Sequence, residues 1–476
     1  MKKLISAVVF LLSIQSVFSQ NWIDTTYVIS SEFDIEYGTS IDFKGSDYKA
    51  QMDISVPIND TPPECGRPLL VIVHGGAWYG GDKSEGYSNR LREDFAKRGY
   101  VTASVNYRQG LFNTNQEIDC ILEGWKCWNM TDSTEWYRAN YRAMQDVNGA
   151  IRYMVNEKES YNLNPDNIFL VGESAGGFVV LGVGFIDDQS EILEGLVDEL
   201  QDAPLPNSIY EDDCIVEYGL ANNISEMNLG RPGLGVIEGE LNFPLQENYR
   251  IRGVGSFYGG VFNNIFETHS ANSPALYLFH QPCDLIVPFQ YNKLLAGFST
   301  CATQFPTFCQ HIINRPFVYG SGAIATLIDD LAANNIPTSE YLFDNSGNTY
   351  SCAEQVINPG LGCHALDSYW QRTYTMAEFF ADKIADCIPS SSNGFNSTTN
   401  EEVKIYPNPV INEINLHLPM TEIKIRIVDV FGKERFNKAI SHTDSYSIDI
   451  STYDQGTYQI LIEFENKTLV YPIVKI

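Results

Sequence analysis

Asn167-Ile168-Phe169-Leu170-Val171-Gly172-Glu173-Ser174-Ala175-Gly176-Gly177 is the stretch on which the reading of the fold turns. Ile168 to Val171 is a short apolar run of the kind that forms a strand buried on both faces. Gly177 to Val183 continues as a helix. A serine at a sharp strand-to-helix turn projects its hydroxyl clear of the backbone, and Gly172 and Gly176 remove side chains that would crowd such a turn. A free serine hydroxyl is a poor nucleophile and needs a neighbouring base. Ser174 is therefore a candidate nucleophile whose base must come from elsewhere in the chain.

Another apolar run, Leu69 to Val73, ends on His74-Gly75-Gly76-Ala77-Trp78. Attack on a carbonyl carbon leaves negative charge on oxygen, and backbone N–H groups aimed at that oxygen stabilise it without reorganising. Glycines let the backbone approach that closely. The expected donors are the amides of Gly76 and Ala77, joined by Ala175 directly after the nucleophile. His74 is tied to the strand end and precedes the nucleophile, so its expected part is to shape the loop and not to act as base. Trp78 and Tyr79, directly after this oxyanion hole, are expected in the wall of a substrate pocket. The two stretches together point to acyl transfer, with a hydrolase as the leading reading.

Outward from these motifs, strands and helices alternate. Strands are expected at Leu69–Val73, Val101–Val105, Asn167–Val171, Val254–Tyr258, Ala275–Phe279 and Tyr341–Phe343, and helices at Lys83–Arg98, Tyr141–Asn156 and Ser368–Cys387. This rhythm implies an α/β fold, a mostly parallel sheet with helices on both faces. Insertions near 110–138, 187–246 and 300–333 interrupt it and are expected to border the binding crevice. The first holds Trp125, Trp128 and Trp136, which read either as an aromatic platform for a sugar or phenolic group or as ordinary core of the insert. The second is dense in acids and reads equally well as surface decoration. Residues 389–402 are small, polar and turn-prone, a linker between a block at 20–388 and another at 403–476. The last block shows short strands without helices, at Val403–Tyr406, Glu413–Leu418, Ile423–Val430, Tyr446–Ile450, Thr457–Phe464 and Leu469–Val474. That spacing suggests a small antiparallel β-sandwich.

Leu70 to Lys83, Ser104-Val105-Asn106-Tyr107-Arg108, and Asn164 to Gly177 together resemble the α/β-hydrolase fold. The resemblance is to its esterase branch: hormone-sensitive-lipase-like, feruloyl or acetyl-xylan, and carboxylesterase-type enzymes. It spans residues 50 to 387 and implies the chain order nucleophile, acid, histidine. His280-Gln281-Pro282-Cys283-Asp284-Leu285-Ile286-Val287-Pro288 carries the family's aspartate before an apolar residue and Val-Pro, which implies Asp284 as the acid. Cys283 departs from the common pattern, and a disulfide there would pin the loop. Of the seven histidines, His417 and His442 lie in the last block, and His74, His269 and His280 precede the acid. His311 and His364 remain. The family places its base between the last sheet strand and the closing helix, which favours His364. The implied catalytic set is Ser174, His364 and Asp284, with His364 taking the serine proton and Asp284 holding the imidazole. The family's usual third glycine is Ala77 here, and its N–H remains. No cofactor and no metal are implied.

Val403 to Val410, Val430-Phe431-Gly432-Lys433 and Gly456-Thr457-Tyr458 resemble the C-terminal sorting domain of type IX secretion. That resemblance implies the type IX machinery as a partner and export to the outer cell surface or beyond. A carbohydrate-binding module is the competing reading, but the block has no tryptophan. Residues 1–19 read as a signal peptide, with Lys2 and Lys3 before an apolar core too short to span a bilayer; a membrane anchor is the alternative. The ten cysteines fit export and favour disulfides, with Cys120–Cys127, Cys301–Cys309 and Cys352–Cys363 as the local pairs expected. A formal net charge of −29 is repelled by phosphate backbones and argues against nucleic acid as a partner. The expected function is a secreted serine hydrolase of small-molecule or polysaccharide-linked carboxylic esters, acetyl or feruloyl esters of plant polysaccharide among them. A peptidase or formamidase on the same scaffold, and a non-catalytic surface binding protein, are the alternatives.

Overall fold

A computed structural model describes residues 22–110 except 44–45, 134–193 except 187, 196, 233–266, 273–297, and 316–385 except 359–360. Beyond the linker it describes 404–406, 410, 412–417, 423–429, 433–440, 445–464 and 468–475. The chain divides into two compact units, Met1–Pro389 and Ser390–Ile476.

The first unit is built on one eight-stranded sheet. Its strands are β1 (Val28–Ile41), β2 (Asp47–Ile58), β3 (Arg67–Val73), β4 (Val101–Val105), β5 (Leu163–Glu173), β6 (Ile251–Phe257), β7 (Ala275–His280) and β8 (Tyr341–Asn345). They lie in the order β1-β2-β4-β3-β5-β6-β7-β8. β1 and β2 form an antiparallel hairpin that meets β4 antiparallel; from β4 to β8 every pairing is parallel. This is the α/β-hydrolase architecture. Among the described residues, its longer helices are α1 (Gly86–Lys97), α2 (Thr134–Asn156), α3 (Ala175–Phe185), α4 (Ser321–Ala333) and α5 (Tyr369–Ala381).

Strand periodicity sorts the core onto the two faces of the sheet. Leu69, Val71 and Val73 join Met144, Val147 and Ile151 of α2 and Val179 and Val180 of α3. Leu70 and Ile72 join Leu91 and Phe95 of α1 and Met376 and Phe380 of α5. Burying each such side chain contributes about 1.5–3 kcal/mol. α3 is apolar all round, as a helix enclosed by protein must be.

The differences from the sequence reading have local causes. The β1–β2 hairpin was not expected, because β1 is almost wholly exposed or half-exposed and β2 places Asp53 and Ser55 among its buried residues. α1 starts at Gly86 and not at Lys83, because the Lys83 ammonium is drawn inward between Asp34 and Asp53, 2.8 Å from each. Residues 134–138 open α2 and do not belong to an insertion. Likewise, 317–320 is a strand and 321–333 is α4, so only the earlier part of 300–333 remains as an insertion, and it lies outside the described residues. Of the acidic insertion, 233–246 runs along α2, where Gln145, Asn148, Arg152 and Asn156 donate to successive backbone carbonyls of that segment. No helix among the described residues is long and apolar enough to cross a membrane.

The second unit holds two antiparallel sheets of three and four strands. Its core is rich in isoleucine, including Ile414, Ile425, Ile427, Ile460 and Ile473. Glu434–Ile440 is a strand that the sequence reading passed over. It is an edge strand with no fully buried residue, so it lacks an apolar face in sequence.

Lys83 links the glycine loop to the hairpin, and its partner Asp53 is 1% exposed. Lys83→Met is expected to leave that carboxylate buried without its cation and to cost about 3–5 kcal/mol, read as a lower urea midpoint.

Candidate active site

Ser174 sits at the turn between β5 and α3 with φ 50° and ψ −121°. A non-glycine residue held there carries backbone strain, and the surroundings enforce it. The Ser174 N–H donates to the carbonyl of Phe257 at 2.9 Å. A Cβ on Gly172 would lie 2.2 Å from the Gly176 carbonyl oxygen, and one on Gly176 would lie 2.1 Å from that of Val73. Neither position admits a side chain.

His364, in the loop before α5, places Nε2 2.7 Å from Ser174 Oγ and Nδ1 2.7 Å from Asp284 Oδ2. Asp284 follows β7 and is buried, with no side-chain exposure. Its Oδ1 accepts the N–H groups of Ile286 and Val287 at 2.8 and 3.1 Å, and its Oδ2 also meets His280 Nε2 at 3.1 Å. Burial alone would raise the Asp284 pKa. The charge on His364 and the hydrogen bonds from His280 and His364 outweigh it and hold the group below the usual carboxylate range. The structure thus brings together the three residues Ser174, His364 and Asp284. His311 lies outside the described residues.

The glycine loop folds over the nucleophile. Gly76, Ala77 and Trp78 all take positive φ, at 109°, 54° and 59°. The Gly76 carbonyl turns back to accept the N–H groups of Tyr79 and Gly80, both at 3.0 Å. The N–H groups of Gly76 and Ala77 have no backbone acceptor among the described residues. A helix leaves its first N–H groups unpaired, which frees that of Ala175 as well. Gly76, Ala77, Ser174, Ala175 and His364 line one cavity of about 650 Å³. His74 is buried and stacked on Tyr107, with ring centroids 4.5 Å apart, and its Nδ1 lies 2.7 Å from the Gly75 carbonyl oxygen. Burial holds its pKa below the ordinary imidazole value. It shapes the loop, as its sequence position suggests.

Trp78 lines the cavity from a buried position against Trp136, Phe178 and Phe262. Tyr79, expected beside it in the wall, is 39% exposed and does not line the cavity, because the positive-φ run turns the chain after Trp78. Trp136 is buried in the same wall and offers no exposed platform, while Trp125 and Trp128 lie outside the described residues. Ile286, Val287, Leu294 and Leu295 complete the apolar side of the cavity.

Several site residues escaped the sequence reading. Glu173 is a buried carboxyl beside the nucleophile that accepts the Tyr258 hydroxyl at 2.6 Å. Burial raises its pKa, against the opposing hydrogen bond from Tyr258, the charge of His364 and the N–H of Gly75. The Tyr258 ring packs edge-on against His364 at 4.7 Å. Cys363 pairs with Cys283, not with Cys352 as expected. Cys352 and Cys65 each take part in a disulfide as well. The other two expected pairs, Cys120–Cys127 and Cys301–Cys309, lie outside the described residues. The Cys283–Cys363 bond joins the residue before Asp284 to the residue before His364. Gln355 reinforces it, donating to the Cys283 carbonyl at 2.9 Å and accepting the Cys363 N–H at 3.1 Å. Such a long-range pairing leaves no trace in local spacing. Among the described residues, no group of three His, Cys, Asp or Glu side chains is placed to hold a metal ion.

Residues 52–118 and 133–232 match the BD-FAE family, and residues 404–475 match the secretion system C-terminal sorting domain. Over 135 residues the chain is 25% identical to a probable isoprenylcysteine alpha-carbonyl methylesterase of Arabidopsis thaliana, covering 28% of this chain and 22% of that protein. Over 137 residues it is 29% identical to venom carboxylesterase-6 of Apis mellifera, covering 28% of this chain and 20% of that one. The chain thus spans about a fifth of the length of these curated relatives. A truncated carbohydrate esterase from gut microbiota aligns in structure with a TM-score of 0.37 at 15% identity, over 76% of this chain and 98% of the other. In its first unit the chain is similar to esterase-type proteins, on an α/β-hydrolase fold. Its sorting domain marks it for type IX secretion to the cell surface or extracellular space.

Replacing Cys283 and Cys363 by serine removes a cross-link between positions 80 residues apart. The double variant is expected to lose about 2–5 kcal/mol of stability, read as a lower urea midpoint than the oxidised wild type.

Proposed function

We propose that this exported α/β-hydrolase cleaves carboxylic esters through an acyl-enzyme on Ser174. The observation that carries the reading is the Ser174–His364–Asp284 hydrogen-bond chain, with 2.7 Å at each His364 contact, opening on a cavity lined by the N–H-bearing residues Gly76, Ala77 and Ala175. In this mechanism His364 Nε2 takes the hydroxyl proton as Ser174 Oγ bonds to the ester carbon. The negative charge on the former carbonyl oxygen is met by the N–H groups of Gly76, Ala77 and Ala175. The carbon–oxygen bond to the alcohol breaks, and His364 returns its proton to the departing alkoxide. Water then loses a proton to His364 as it attacks the acyl carbon; the bond from that carbon to Ser174 Oγ breaks, His364 returns the proton to Oγ, and the acid leaves. Asp284 keeps the imidazole in the working tautomer and stabilises its charged form.

The apolar wall of Trp78, Trp136, Phe178, Ile286 and Leu294 suits a small acyl or aryl group. With export to the cell exterior, it favours acetyl or feruloyl esters carried on polysaccharide. The type IX machinery would be the partner of residues 404–475. A p-nitrophenyl ester series of graded acyl length, beside acetylated xylan, methyl ferulate and matched amides, separates this reading from a peptidase or formamidase.

Two outcomes test the chemistry. A fluorophosphonate probe is expected to label the folded protein and to fail on Ser174→Ala; no labelling of the folded wild type would point to a binding protein instead. Because Asp284 stays ionised below the usual carboxylate range, its contribution is lost only as pH falls through that depressed value. Asp284 is therefore expected to add no proton uptake to the acid limb of kcat/KM above that value, and a limb of second order in protons there would contradict it.

A further inference from the structure

We infer that His280 is a positioning residue, a neutral imidazole fixed as its Nε2–H form by the first turn of α4, which holds the Asp284 carboxylate in place for His364. The inference rests on the proposed ester hydrolysis and adds a member to its relay.

His280 ends β7 and is fully buried. Its two ring nitrogens face opposite chemistry. Nδ1 receives the backbone N–H of Ser321 at 3.4 Å and lies 3.1 Å from the Ser321 hydroxyl. Ser321 is the first residue of α4, a helix of 13 residues. The positive end of a helix disfavours a proton at Nδ1, and the Ser321 N–H requires an acceptor there. Nε2 faces only acceptors, Asp284 Oδ2 at 3.1 Å and the Val287 carbonyl oxygen at 3.2 Å. A bare nitrogen in that position would be repelled by both. Helix and carboxylate thus select the same tautomer, with the proton on Nε2.

The consequence falls on Asp284. Both imidazoles donate to the same oxygen, Oδ2, while the Ile286 and Val287 amides hold Oδ1. A carboxylate held by main-chain donors on one oxygen and by His280 on the other cannot turn about its Cβ–Cγ bond, so Oδ2 stays aligned with His364 Nδ1. The other titratable side chains facing this relay are Glu173 and Tyr258, on the His364 side. Asp344 and Asp367, on neighbouring segments, are taken up by Arg372. Losing the His280 N–H leaves the buried carboxylate more ready to bind a proton, and this moves the acid limb of activity to higher pH.

The test uses the full chain and p-nitrophenyl acetate, comparing His280→Leu, His280→Asn and His280→Gln. Gln carries an N–H at the reach of Nε2, whereas Asn and Leu do not. Leu and Asn are expected to lower kcat by about 10- to 100-fold with KM little changed, as for one lost hydrogen bond to a charged group, and to shift the acid limb upward. Gln is expected to restore most of kcat and the wild-type limb. Wild-type kcat and pH profile in the Asn variant would overturn the inference. So would an equal loss in Asn and Gln with an unmoved limb, which is the mark of a packing role; this pair decides even if the Leu variant does not fold. A wild type with no turnover dependent on Ser174 would overturn the ester-hydrolase reading itself, and this inference with it.

Discussion

A carboxylate in a dry interior is costly unless donors surround it, and Asp284 is the point where this protein meets that cost. Two main-chain amides and two imidazoles converge on its oxygens. Each donor belongs to a segment that has to be where it is: the 284–287 turn, the end of β7 braced by α4, and the loop before α5. Because one ionised group requires all of them, the loops at this end of the sheet are fixed relative to one another. The Cys283–Cys363 bond and the Gln355 side chain join the same two loops through the main chain beside them.

The nucleophile is fixed by a different force, steric exclusion. β5, α3 and the loop after β3 approach so closely at Gly172 and Gly176 that only hydrogen fits between their backbones. This contact couples the two sequence motifs. The strand end that carries the glycine loop presses on the first turn of the helix that follows Ser174. Lys83 and Asn106 then stitch the far side of that loop to β2 and β4, with the Lys83 N–H bound to Asn106 Oδ1 at 2.7 Å. Rigid elements thus set both sides of the cavity before any substrate enters.

The sequence was most readable where chemistry and local geometry coincide. Strand, tight turn and helix around Ser174, and the glycines after Val73, require particular residues at adjacent positions. The α/β rhythm was plain from β3 onward because the central strands are short, mostly apolar and buried on both faces. The β1–β2 hairpin and the strand 434–440 were not: β1 and 434–440 are edge strands with a weak apolar face, and β2 carries Asp53 and Ser55 among its buried residues. Asp284 and His364 came from resemblance and chain order, since the part each plays depends on partners distant in sequence. His280, Glu173 and the Cys283–Cys363 pairing depend on contacts that only folding creates. Tyr79 was expected in the wall only from its place after the glycine loop, and the positive φ values at Ala77 and Trp78 turn the chain away from the cavity there.

The two units serve separate physical ends: one builds a cavity, and the other is a small sandwich matched to sorting. What ties the account together is the claim that Ser174, His364 and Asp284 act as one device, and non-additivity tests that most directly. Residual turnover of p-nitrophenyl acetate should be nearly the same for Ser174→Ala alone and for the variant lacking all three side chains, because losing the nucleophile already disables the rest. Losses that multiply with each successive substitution would show three independent contributions and would contradict it.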